Sequence, residues 1–452
     1  MTALWFETAL LPQGWSERVR ISHADGIISL VETAAAPSPG DERHAIGLPG
    51  LGNLHSHAFQ RGMAGLAETR GASADDFWTW REVMYRFVDR LSPEDVRAIA
   101  AQAFAEMLES GFTRVGEFHY LHHDLDGSPY GDPAEMVASI AEAARQSGIG
   151  LTLLPVFYAH GGFGGQPPGA AQRRFLYDIE GFANLVGASR KALGHLSDAV
   201  VGIAPHSLRA ATAEELAAIL PLAHAGPVHI HVAEQLREVD DCLQWSGQRP
   251  VDWLLDRASV DHRWCLIHAT HMTNEETRRL AATGAVAGLC PITEANLGDG
   301  VFPAEAYLAA GGRFGVGSDS NVLIDAPEEL RLLEYGQRLA NRRRGVLVST
   351  GQPSVGARLF NGALAGGMQA LAAAGGIMPG APLDLVSLNA AHPALAGRRG
   401  DLLLDAWIFA ARRGAVDSVW RRGRQVVADG RHIATHEISS AFRAVVARIL
   451  SE

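Results

Sequence analysis

Through the middle of the chain, apolar and polar positions fall into two alternating textures. Short runs rich in apolar and β-branched residues are separated by longer segments with helix-like patterning, the alternation of consecutive βα units. The runs that predict strands are "GLPGLGNLHSH" (47–57), "TRVGEFHY" (113–120), "LTLLPVFY" (151–158), "VVGIAPHS" (200–207), "VHIHVAE" (228–234), "WCLIHAT" (264–270), "AVAGLCPIT" (285–293) and "RFGVGSDS" (313–320). Between them, "SPEDVRAIAAQAFAEMLESG" and "TAEELAAILPLAHAG" each carry an N-cap residue, early acids and a closing glycine, the punctuation of helices. Eight such units predict an α/β fold, a (β/α)8 TIM-type barrel with its functional residues at the carboxyl ends of the strands. An open doubly wound sheet is the competing arrangement.

The two ends of the chain differ in texture. "VRISHADGIISLVE", "LLLDAWIFAA" and "SVWRRGRQVVADGRH" read as short strands joined by turns, with "ADG" as a turn signal in both flanks. Residues 1–46 and 380–452 are therefore expected to form one small β-sandwich domain with a C-terminal helix, beside a barrel spanning 47–379.

Composition narrows the function. The hydrophobic content of 47% supports a sizeable core, and the formal charge of −11 argues against a nucleic-acid or membrane-surface binder, which wants a basic face. No run approaches the ~20 apolar residues of a membrane span, and the opening "MTALWFETALLPQGW" lacks the basic and apolar regions of a signal peptide. Cys242, Cys265 and Cys290 show no CxxC spacing, which fits buried thiols in a reducing compartment. A cytoplasmic protein is expected.

The predicted strand ends carry the candidate chemistry: His55 and His57 on strand one, His231 and Glu234 on strand five, His268 on strand six and Asp319 on strand eight. A chain with 19 histidines places two at HxH spacing by chance, so the pair alone means little. Side chains two apart share a strand face, however, so His55 and His57 can point at one ion. Imidazoles with a carboxylate suit Zn²⁺, or else Fe²⁺, with a position left for a water that the ion acidifies. Spacing leaves the choice within pairs open, since His229 shares the face of His231 and His271 lies just beyond His268.

The set "HSH", "HVAE", "IHATH" and "GSDSN" resembles the amidohydrolase superfamily, in its deaminase branch. The resemblance implies one divalent metal held by His55, His57, His231 and Asp319. It further implies that Glu234 shuttles a proton from water to the leaving amine, that His268 polarises the substrate and that Asp319 takes the first proton. Binuclear members carry a modified lysine on strand four, but "VVGIAPHS" has none and the lone Lys191 precedes it, so a single ion is expected. Relatives also imply a homodimer.

The loops bear on the substrate. Arg81 and Arg209 are what a dicarboxylate would want, because each guanidinium can grip a carboxylate through paired hydrogen bonds. A closer likeness, carried by "HSHAFQRGMAG", "WREVMY", "GEFHYLHH", "APHSLRA" and "DAPEELRLLEYGQRL", is to members of the branch that act on a linear amidine in histidine degradation. It implies hydrolysis of N-formimino-L-glutamate to N-formyl-L-glutamate and ammonia, with Gln60, Arg81, Tyr120, His206 and Arg209 binding this amino-acid-derived dicarboxylate. Two readings compete: a purine-type deaminase whose ring would stack on Trp78, Trp80 or Phe163, and a non-catalytic metal-binding protein. The Gly-rich stretch at 158–170 reads either as a cover over the site or as an ordinary surface loop.

Overall fold

The expected barrel strands all form, at Leu51–Ser56, Phe112–His119, Gly150–Phe157, Val228–Val232, Trp264–His268, Val286–Leu289 and Arg313–Val316. The fourth is broken into Val200–Val201 and Ala204–Pro205, where Pro205 has no N–H to give a ladder. The structure, a computed structural model, describes residues 3–69, 77–412 and 414–451. The strands pair in parallel in the order five, six, seven, eight, one, two, three, four. Bridges Ile203↔Val228 and Ser207↔His231 join strand four to strand five, with the His231 N–H donating to the His206 carbonyl at 3.1 Å. The sheet is thereby closed, which an open doubly wound sheet is not. Strands two and three are buried at every position, as expected with a packed interior on one face and helices on the other.

The helices begin and end where the punctuation predicts. Ser92 caps helix Pro93–Ser110 in a capping box with Asp95, and Gly111 ends it in the left-handed region at φ 105°. Thr212 and Glu215 cap Ala213–Ile219 in the same way.

The termini build one eight-stranded sheet. Its seam pairs Glu42–Pro49 antiparallel with Leu385–Leu388, so strands from opposite ends of the chain meet in its middle. The sheet folds over its own apolar face, where Phe6, Val19, Ile21, Ile28, Leu385 and Trp420 share a core, and Ile28 N–H reaches the Ala381 carbonyl at 2.8 Å.

Three expectations need correcting. The run at 47–57 is not one strand: Glu42–Pro49 lies in the terminal sheet and Leu51–Ser56 in the barrel, so the switch falls at Gly50, past the expected boundary between 46 and 47. Gly50 is required there, because a Cβ would sit 2.2 Å from Thr113 Cγ2. "LLLDAWIFAA" is not a strand but contains most of helix Asp401–Phe409, which packs on helix Val355–Ala370. A short continuous apolar run suits either element, and here burial of Leu403, Leu404, Trp407 and Ile408 is met by a helix surface. The C-terminal helix Thr435–Ser451 docks on the barrel helix Pro93–Ser110 rather than on the β sheet, with Arg448 paired to Asp95 at 2.6 Å.

Helix Val355–Ala370 lies against strands one and eight, and the residues at its end plug the amino end of the barrel, where Ala370 and Leu371 share a core with Leu54, Cys265 and Ile267. Its glycines permit that approach: a Cβ on Gly366 would fall 1.9 Å from the Phe314 carbonyl oxygen. Gly366→Ala is expected to lower unfolding stability by about 1–3 kcal/mol, because the helix must back away from the strand. The denaturation midpoint checks this.

Candidate active site

At the carboxyl end of the barrel, side chains from strands one, five and eight converge. His55 ends in strand one, His57 lies just beyond it, His231 is in strand five, and Asp319 follows strand eight with a left-handed φ of 46° that turns its carboxylate inward. The His55 and His231 Nε2 atoms lie 3.1 Å apart, and Asp319 Oδ1 is 3.2 Å from His55 Nε2 and 3.3 Å from His57 Nε2. All four are buried, and their ligand atoms fall within 4.8 Å of one another.

The hydrogen bonds fix what these atoms can do. His57 Nδ1 donates to the Phe118 carbonyl at 2.9 Å and His231 Nδ1 to the His206 carbonyl at 3.0 Å. A carbonyl only accepts, so in each ring the proton sits on Nδ1 and Nε2 keeps its lone pair. Burial keeps these imidazoles neutral, and it lowers His55 to about 3. Burial alone would raise the Asp319 carboxyl, but His55 beside it outweighs that and holds it well below the usual range. The His57 lone pair therefore faces a carboxylate oxygen at 3.3 Å with no proton between them. Acceptor against acceptor is unfavourable unless a cation sits between, and three imidazole nitrogens with one carboxylate are a donor set for a divalent metal.

Beside this cluster, Glu234 Oε1 is 3.7 Å from His268 Nε2. Ala233, at φ 53°, makes the turn that brings Glu234 inward after His231, and Glu238 secures it by accepting from the Ala233 and Glu234 N–H groups at 3.0 and 3.1 Å. Burial raises the Glu234 carboxyl. In His268, burial opposes protonation, but Glu234 and Glu294 outweigh it and raise the ring. Glu294 Oε1 faces its Nδ1 at 3.2 Å, leaving Nε2 directed at Glu234.

Every expected site residue except His55 lines one pocket above this floor, and His55 lies behind it with its Nε2 in the cluster. Gln60 donates to the Tyr120 hydroxyl at 2.8 Å, while its own Oε1 is buried without a partner. His206 packs on Tyr158 at 4.6 Å between ring centroids and on His231 at 4.9 Å. The buried Nε atoms of Arg81 and Arg209 also lack a hydrogen-bond partner. Arg81 stacks on Trp78 at 4.4 Å, and Arg209 is 5.8 Å from the same ring. Phe163 is stacked on Trp245 at 5.6 Å, so it is not placed to receive a substrate ring.

Of the alternatives within pairs, His229 donates to the Ala370 carbonyl at 2.8 Å near the barrel floor, and His271 to the Asp299 carbonyl at 2.8 Å; neither joins the cluster. Lys191 is exposed on helix Ile179–Ala192, away from strand four. Residues that pattern reading passed over are Glu294, Glu238 and Arg237, the last covering Trp78 at 4.6 Å. Glu294 and Arg237 closely follow strand ends, the signal that exposed their neighbours.

Comparison with known proteins places this geometry. Residues 46–426 match the model of the Amidohydrolase family, and residues 1–45 match that of the Formimidoylglutamate deiminase HutF N-terminal domain. The chain is 50% identical over 456 residues to formimidoylglutamate deiminase of Pseudomonas aeruginosa, covering 100% of both. It is 28% identical to a 5-methylthioadenosine/S-adenosylhomocysteine deaminase of Natronomonas pharaonis, covering 82% of this chain and 80% of that one. A crystal structure of an amidohydrolase from Brucella melitensis superposes with a TM-score of 0.96 at 53% identity, covering 100% of both chains. A zinc-bound adenosine deaminase from Xanthomonas campestris shares the fold, with a TM-score of 0.82 at 21% identity and 100% and 99% coverage.

Proposed function

This chain belongs to the amidohydrolase family, and we infer that it hydrolyses N-formimino-L-glutamate to N-formyl-L-glutamate and ammonia, the deimination step of histidine degradation. The observation that carries the substrate is the pair of half-buried arginines, Arg81 and Arg209, whose buried Nε atoms stand without a partner on the pocket wall above the His/Asp floor. Half-buried guanidinium groups with unpartnered donors call for an anionic partner, and a dicarboxylate supplies a carboxylate for each. A purine would bring a carboxylate to neither. Of the three rings offered for stacking a base, Trp78 already carries guanidinium groups and Phe163 stacks on Trp245, while Trp80 lines the pocket and is itself stacked on Phe77 at 6.0 Å.

His55, His57, His231 and Asp319 would hold one divalent ion, Zn²⁺ or Fe²⁺ by the chemistry of the donors. When bound, that ion supplies the positive charge that makes a water acidic near neutral pH. Arg81 and Arg209 grip the two carboxylates, with Gln60, Tyr120 and His206 packed beside them, so that the formimino carbon points at the floor. Water adds to that carbon, forming a C–O bond as the C=N π bond opens and its electron pair passes to the nitrogen. Asp319 and Glu234 accept the proton that water gives up, and Glu234 returns one to the departing nitrogen as the C–N bond breaks. His268, its Nδ1 held by Glu294, presents Nε2 toward the reacting centre and polarises the substrate. A carboxyl whose pKa is raised by burial suits a group that must both take and give a proton.

Ammonia release from N-formimino-L-glutamate, with guanine and an adenosine derivative alongside, tests the reading. Activity on the amino-acid substrate alone is expected, abolished by chelation and restored by Zn²⁺; release from a nucleobase alone would leave the metal cluster standing and overturn the role of the arginines.

Two further points belong to this reading. A cytoplasmic location is supported by three buried free cysteines, and no helix among the described residues is long and apolar enough to cross a membrane. A homodimer is supported by Tyr335 and Leu339, exposed one helical turn apart on Ala326–Asn341, and the mass in light scattering decides it.

A further inference from the structure

Strands one and eight carry three of the four side chains in the His/Asp cluster, yet little regular ladder joins them. Their strand pairing is the single register Val316↔Asn53, followed by one isolated bridge, Ser56↔Asp319, made by two backbone bonds: the Asp319 N–H donates to the His55 carbonyl at 3.0 Å and the His57 N–H to the Asp319 carbonyl at 2.9 Å. On its other side, strand one slips register against strand two between Asn53 and Ser56, where His55 lies. Asp319 and Asn321 both adopt left-handed backbone, at φ 46° and 55°. The polypeptide around the cluster is therefore irregular where its geometry matters most.

A chain of neutral side chains reinforces this short ladder. Asn53 Nδ2 donates to Ser318 Oγ at 2.6 Å, and Asn53 Oδ1 accepts from the Ser318 N–H at 3.1 Å. Ser318 Oγ donates in turn to Asn321 Oδ1 at 2.6 Å. Asn321 Nδ2 then lies 3.0 Å from the His57 carbonyl oxygen, 3.0 Å from the Asp319 carbonyl oxygen and 3.2 Å from Ser56 Oγ. One amide thus ties together the backbones of two metal-holding residues on different strands. Asn53, Ser318 and Asn321 are all wholly buried.

We propose that Asn321, oriented by Ser318 and Asn53, is a positioning residue that holds the cluster in its metal-binding geometry before any ion arrives. The inference rests on the reading that His55, His57, His231 and Asp319 hold a metal. Without an ion, the His57 lone pair faces the Asp319 carboxylate oxygen across 3.3 Å and the two side chains push apart. Something must resist that push, and beside the two backbone bonds of the Ser56↔Asp319 bridge the Asn321 amide adds a second tie between the same backbones. An amide suits the task because its N–H₂ satisfies two buried carbonyls while adding no charge beside the cation. A carboxylate at 321 would instead set oxygen against oxygen at both carbonyls.

The test is the affinity of the apoprotein for Zn²⁺, measured by competition with a chelating chromophore, together with the Tm of apo and loaded protein. Asn321→Ala is expected to weaken Zn²⁺ by about 10–100-fold, the range seen when groups that orient ligands are removed. The Tm gained on loading should shrink in parallel, since that gain reports binding to the folded state. Ser318→Ala, which deletes one hydroxyl and leaves the amide in place, should lose affinity in the same direction by less. Asn321→Asp, similar in size, should bind no better than Asn321→Ala. A folded Asn321→Ala with affinity within twofold of the parent and only a lower apo Tm would mean a purely structural residue and overturn the proposal; if that variant does not fold, unchanged affinity in Ser318→Ala overturns it. Failure of the parent protein to bind one Zn²⁺ would sink the metal reading itself, a result distinct from parent binding with unaffected variants.

Discussion

Glu234→Gln is expected to reduce the rate of ammonia release from N-formimino-L-glutamate by about 10²–10⁴-fold while the protein still binds one metal ion. Glutamine keeps the shape of the side chain, and the turn that presents it depends on Ala233 and Glu238 rather than on the Glu234 carboxyl. What is lost is a group that can hold a proton between the attack of water and the departure of ammonia. The effect should fall on kcat with KM little altered, because the proposed relay places Glu234 at the reacting nitrogen and not at the carboxylates of the substrate. Apoprotein stability should hold or rise. Burial lifts the folded carboxyl above its unfolded value, so ionising it costs stability as pH climbs past the usual carboxylate range, and an amide carries no such cost. A kcat close to that of the parent would remove Glu234 from the proton relay.

The second large effect is expected at the arginines. Arg209→Met or Arg81→Met should lower kcat/KM for N-formimino-L-glutamate on the order of 10²–10³-fold, since each would remove one partner of a proposed guanidinium–carboxylate pair. Lysine should rescue Arg81 poorly: the planar guanidinium stacks on Trp78 at 4.4 Å, and a point charge reproduces neither that stacking nor a two-pronged grip. A substrate analogue lacking one carboxylate gives a sharper readout. If Arg209 grips that carboxylate, deleting both partners should cost far less than the sum of the single deletions. Additive losses would place the arginine elsewhere in the enzyme's work, and a variant equal to the parent would remove it from the substrate site.

The alternation of strand and helix textures was legible because each βα unit writes its own hydrophobic pattern and its own caps. Ser92 with Asp95 and Thr212 with Glu215 are local signals that need no tertiary knowledge, and their helices start where the residues stand. Where the pattern misled, it was silent about what lay across the way. The apolar run at 402–411 suits either element, and only the helix Val355–Ala370 facing it settled the matter. The run at 47–57 reads as one strand because nothing local reports that Thr113 crowds Gly50 and that the chain changes sheets there.

The site shows the same division. The sequence by itself determined the donor types and their places at strand ends, because alternation along a strand and the rule that barrels bind at their carboxyl edge are properties of covalent geometry and topology. Only the tertiary structure decided which histidine of each pair lies at the cluster and which is turned away from it. His229 shares a strand with His231 but lies one step deeper, where the Ala370 carbonyl claims its ring, and left-handed turns at His268 and Ala269 carry His271 away to Asp299. Tertiary structure also decided that Arg81 and Arg209, far apart in the chain, share one wall, and that Asn321 joins strand eight to strand one. Depth in a barrel and contacts between distant segments arise from closing the sheet, and no local pattern of residues records them.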